Sequence, residues 1–91
     1  MEFQTPADEF RYESERFREY QMLGQKVLSN GDFAKSRLKL FEQLRQQGEQ
    51  LSQEASALAA QGDYAAGISR MEEAVKRMVR GLSVLGVPLS M

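Results

Sequence analysis

Ninety-one residues make about one domain, and twelve Lys and Arg against thirteen Asp and Glu leave a net charge of −1. That near-balance argues against the broad electrostatic attraction on which non-specific nucleic-acid binding depends. The chain has neither Cys nor His, which removes disulfides, thiolate chemistry, the commonest general base and the commonest metal ligand together.

The composition therefore points away from an enzyme, and no catalytic, cofactor or metal site is assigned. The start, Met1-Glu2-Phe3-Gln4, is acidic where a secretory leader would be basic and then apolar. The longest apolar stretch, residues 84–89, is far shorter than the roughly twenty residues of a membrane span. A cytoplasmic protein without a membrane span is expected.

The first element opens at Thr5-Pro6-Ala7-Asp8: Thr5 can cap, Pro6 suits the first turn, and Asp8 stands at the capping-box position. Phe10, Phe17, Tyr20, Leu23, Gly24 and Val27 then recur on one helical face. Ser29-Asn30-Gly31 ends this helix, expected near 6–29.

Asp32 is placed to cap a second helix, expected near 33–61. Leu38 and then the series 41, 44, 48, 51, 55 and 58 continue at helical spacing, with Gly48 on the seam. Gln61-Gly62 closes the run and Asp63 can cap the third helix, expected near 64–85. Ile68, Met71, Val75, Met78, Leu82 and Leu85 alternate there by three and four. Glu72 with Lys76 and Glu73 with Arg77 stand in the favourable i,i+4 order. An uncharged apolar tail follows over 86–91. No segment alternates with period two, so the chain reads as all-α, a single helical domain over 1–91.

Gly31-Asp32-Phe33 and Gly62-Asp63-Tyr64 stand 31 positions apart. In each, Gly can take the left-handed backbone that closes a helix, and Asp can accept from the free N–H groups that open the next. The aromatic is placed to fold back onto the helix pair. Small residues at Gly24, Ser36, Ala55 and Gly67 mark where helices would cross closely.

Tyr20-x-x-Leu23-Gly24 with Gly31-Asp32-Phe33, and Ala55 and Leu58 with Gly62-Asp63-Tyr64, Ile68, Ala74 and Val75, resemble two units of the tetratricopeptide repeat. The resemblance covers roughly residues 17–82. It implies stacked helical hairpins that bind proteins or peptides rather than catalysis. Three departures stand out. The spacing is about three short of the family's 34, two units fall below the roughly three that such arrays need for independent stability, and Glu54 occupies a position where Leu is usual.

The shortened spacing bears on the second helix, because residues 46–50 contain one Gly and no Pro and the seam crosses them without a phase change. One continuous rod is favoured, with a kink at Gly48 as the alternative. The architecture is then a three-helix antiparallel bundle, the first and third helices each lying antiparallel along a long central second helix.

Two partner surfaces are expected. Phe10, Tyr12, Phe17 and Tyr20 exceed what one apolar stripe requires and have Arg11, Arg16 and Arg18 beside them, a hot-spot composition. Leu85, Val87 and Leu89 in the tail would be an anchor if exposed. Lys26, Lys35, Arg37 and Lys39 form a small basic patch without the aromatic interleaving of a nucleic-acid platform. The expected function is a protein–protein interaction module, a small tetratricopeptide-like adaptor or chaperone subunit whose underfilled apolar face takes a partner segment. The alternative is a coiled-coil structural subunit that self-assembles or joins a hetero-oligomer through the seams 41–58 and 68–85, as in a bacterial secretion apparatus.

Overall fold

The computed structural model describes residues 4–87 and Leu89; Phe3, Pro88, Ser90 and Met91, parts of the expectations above, lie outside them. Three helices follow in order, α1 (Pro6–Asn30), α2 (Lys35–Ala60) and α3 (Tyr64–Val84). Among the described residues all regular structure is helical, and no helix is long and apolar enough to cross a membrane.

Each terminus shows which local chemistry set it. Thr5 is extended at the N-cap of α1 and its Oγ1 accepts from the Asp8 N–H at 3.1 Å, with Pro6 following directly. The α2–α3 corner takes two residues beyond its C-cap. Gly62 has φ +88°, the Gly62 N–H donates to the Ala59 carbonyl at 2.9 Å and the Asp63 N–H to that of Leu58 at 3.0 Å. That pair of bonds is a Schellman closure. The Asp63 carboxylate then accepts from the Ala66 N–H at 3.2 Å, so one residue ends α2 and caps α3. The same closure ends α3, where Gly86 has φ +89° and the Val87 N–H reaches the Leu82 carbonyl at 2.9 Å.

The first corner is built differently. Gly31 has φ −142°, an extended conformation, and Asp32 does not cap: the N-cap of α2 is Ala34, without a side-chain bond. The expectation of two equivalent Gly-Asp corners is corrected here. The link 31–34 is extended, and α2 begins at Lys35 rather than near 33. Gly31 is needed for another reason. A Cβ there would lie 3.0 Å from the Phe33 ring, which folds back over it and packs on the core.

The packing order also differs from the sequence reading. α3 is the central helix. It packs most extensively on α2, antiparallel, and next on α1, parallel, while α1 and α2 meet only over a short stretch. α3 supplies the three largest fully buried side chains, Val75, Met78 and Leu82, which explains why it wins the centre. Its apolar face (68, 71, 75, 78, 82 and 85, buried throughout) is the least interrupted in the chain. α1 presents Glu13 and α2 presents Gly48 on their buried faces, and each therefore covers one flank of α3.

Glycine lets the helices close on aromatic wedges. The Phe41 ring sits where Cβ atoms on Gly24 of α1 and Gly81 of α3 would come within 3.0 and 3.1 Å. Phe17 fills the space at Gly48, 3.1 Å from a Cβ there. At Gly67 the neighbour is backbone: a Cβ there would lie 3.0 Å from the Ala55 carbonyl oxygen. Helix α2 passes through Gly48 unbroken, and at about 1.5 Å per residue it spans roughly 39 Å. Ser36, by contrast, is exposed and marks no crossing, and Leu38 is also exposed. Of the two ion pairs expected on α3, neither forms as written. Lys76 meets Glu73 at 3.3 Å instead, one turn position closer.

Candidate protein-binding groove

Because α1 and α2 both lean on α3 and little on each other, a groove opens between them. Its wider end, about 460 Å³, is lined by Ala7, Phe10, Arg11 and Ser14 of α1 and by Ser56, Ala59 and Ala60 of α2, with Tyr64 beneath. It continues for about 340 Å³ between Arg18 and Gln21 on one side and Glu49 and Ser52 on the other, with Phe17 and Met71 below. The two hollows share Phe10, Ser14 and Ser56. The far end is closed by a hydrogen bond from Gln21 Nε2 to Glu49 Oε2 at 2.7 Å.

Beyond Glu49 the α2 wall is made of small residues, Ser52, Ser56, Ala59 and Ala60, so another backbone could approach it closely. On the opposite rim Arg11 and Arg18 stand seven residues apart. Arg11 pairs loosely with Asp8 at 3.9 Å, and Arg18 makes no ion pair among the described residues.

The residues singled out from the sequence are distributed over three environments. Phe10 lines the groove, edge-on to Tyr64 at 6.3 Å between ring centroids. Phe17 is only 4 % exposed and belongs to the core, so it is corrected from partner surface to packing residue. Leu85, also 4 % exposed, is corrected in the same way.

Val87 and Leu89 are half-buried. Tyr12 and Tyr20 flank Arg16, whose guanidinium carbon lies 5.7 and 5.9 Å from their ring centroids. Arg16 Nη1 also reaches both oxygens of Glu13, at 3.2 and 3.3 Å. Burial pushes the Arg16 pKa down, but the Tyr20 hydrogen bond and Glu13 outweigh it and hold the guanidinium above its ordinary value.

Sequence reasoning missed Glu13, a charged residue 7 % exposed on the inner face of α1. Its signal was present as an Arg three residues on with Tyr to either side. Sequence reasoning also missed the groove itself, which depends on the packing order of three helices. The basic residues Lys26, Lys35, Arg37 and Lys39 are all exposed.

Among the described residues no cluster of three or more Asp or Glu is placed to hold a metal ion. Of the seams 41–58 and 68–85, positions 41, 44, 48 and 55 and positions 68, 71, 75, 78, 82 and 85 are buried, while 51 and 58 are half-buried. No family model matches the chain, and neither characterised proteins nor solved structures yield a significant match.

Proposed function

We propose that this chain is a protein–protein interaction module, a small cytoplasmic adaptor or chaperone-like subunit, whose α1–α2 groove receives one amphipathic helix of another protein. The observation that carries the reading is the groove, floored by the half-buried Phe10 and Tyr64, walled on one side by Ser52, Ser56, Ala59 and Ala60, and rimmed by Arg11 and Arg18. From Ala7 to Gln21 it follows fourteen residue steps of α1, roughly 21 Å, a length matched by four turns of helix. An incoming helix would set its apolar stripe on the floor and its small residues against α2. Acidic residues at i and i+7 would meet the two arginines. This is helix-in-groove recognition, in which apolar anchors give affinity and rim charges give orientation.

The test uses a synthetic 18-residue amphipathic helix with Leu and Ala on one face and Glu at i and i+7 on its flank. NMR titration should shift the amides of Ser14, Ser52, Ser56 and Ala60. The exposed substitution Ser56→Trp, which fills the groove, should weaken binding by about tenfold or more with helicity retained. Shifts confined to other faces, or unchanged affinity in Ser56→Trp, would contradict the reading.

A further inference from the structure

The net charge of −1 conceals a strong separation along the bundle. Phe17, Gly48 and Ala74 meet at one level, since a Cβ on Gly48 would lie 3.1 Å from the Phe17 ring and 3.3 Å from the Ala74 carbonyl oxygen. A plane at that level divides the molecule. Residues 4–17 and 49–73 carry nine Asp or Glu and three Lys or Arg, a net −6 by difference. Residues 18–48 and 74–87 carry nine Lys or Arg and three Asp or Glu, a net +6.

Helix stability accounts for only part of this. In the parallel pair, α1 has Asp8 and Glu9 in its first turn and α3 has Asp63 at its N-cap, where the macrodipole favours acids, but neither helix has a base in its last turn. α2 runs the other way, yet Lys35, Arg37 and Lys39 crowd its N-terminus, with no acid in the first turn and no side-chain cap. Those cations oppose their own helix dipole and make no ion pair among the described residues. The sorting therefore serves something outside the single bundle.

We propose that the chain pairs with a second copy of itself, side by side and antiparallel, each basic half lying along the other's acidic half. A second copy is complementary by construction. A two-fold axis satisfies both halves at once, in a closed isologous contact. A polyanion or an anionic membrane would be attracted by one half and repelled by the other.

Dimensions favour flanks over ends. The bundle measures 42 × 24 × 17 Å, so an end offers about 400 Å² and a broad flank about 1,000 Å², against the roughly 800 Å² per partner of a stable interface. The large apolar side chains left exposed among the described residues, Met22, Leu38 and Leu40, all belong to the basic half.

The test is sedimentation equilibrium of the full chain. A dimer is expected at about 50 mM salt, weakened about tenfold or more at 500 mM as screening shortens the reach of the paired charges. Arg37→Glu with Lys39→Glu, and separately Glu15→Lys with Glu72→Lys, should each give a monomer of unchanged helicity. Mixing the two variants should restore a one-to-one dimer, because the reversed side chains of one variant then face those of the other.

A monomer at every salt concentration, a dimer indifferent to salt or to either reversal, no rescue on mixing, or growth beyond the dimer would overturn the proposal. So would a monomer whose basic half instead binds polyphosphate or an oligonucleotide. Arg37 and Lys39 do not line the α1–α2 groove, so failure here leaves helix binding there untouched.

Discussion

Gly67 and Gly62 hold their places for opposite reasons, and replacing each with Ala separates them. At Gly67 the backbone is helical and Ala would be the better helix former by about 1 kcal/mol, but the new methyl would lie 3.0 Å from the Ala55 carbonyl oxygen. That oxygen belongs to a helix backbone and cannot swing aside, so the clash wins. Gly67→Ala should destabilise by about 1–3 kcal/mol, the usual cost of overpacking. At Gly62 nothing lies within 4 Å of a Cβ, but φ is +88°. There the cost is backbone strain, about 1–2 kcal/mol.

Urea unfolding of the two variants reads both. A Gly67→Ala protein as stable as the parent would mean that α2 and α3 do not approach as closely as described. The sequence flagged Gly67 correctly as a close crossing because Gly inside a helix is costly. It did not flag Gly81 and Gly48 as sockets for Phe41 and Phe17, because a socket is defined by an aromatic on another helix.

The extents of the three helices were legible to within two residues from apolar spacing and cap residues, since both are local chemistry. The corners were half legible. Gly-Asp at 62–63 forms a closure and cap together, whereas Gly-Asp at 31–32 leads into an extended link. The same dipeptide diverges because Phe33 must fold back over Gly31 to reach the core, which draws the chain out before α2 can start.

A pair of substitutions tests this. Asp63→Ala removes a cap and should cost about 0.5–2 kcal/mol, while Asp32→Ala removes none and should stay within about 0.5 kcal/mol of the parent. Equal losses at the two sites would mean that Asp32 caps α2 after all. The groove was not legible at element level. Its walls are outward-facing small residues of α2, Ser52 and Ser56, that no hydrophobic pattern marks.

For the whole molecule the decisive feature is the order of packing, with α3 between α1 and α2. Local pattern could not supply it, because all three helices carry an apolar stripe and only the completeness of the α3 stripe breaks the tie. The groove descends from that order, because α1 leans on α3 rather than on α2. The charge halves need only the alternating direction of the three helices, which the sequence already implied.

The most direct measurement is paramagnetic relaxation from one nitroxide on Gln25→Cys, an exposed site near the end of α1 in a chain with no other cysteine. Recorded at high salt to keep the chain monomeric, broadening should concentrate at Phe41 and at Gly81 and Leu82, and leave Tyr64 to Ile68 sharp. Broadening at Tyr64 to Ile68 with sharp signals at Gly81 and Leu82 would contradict the account.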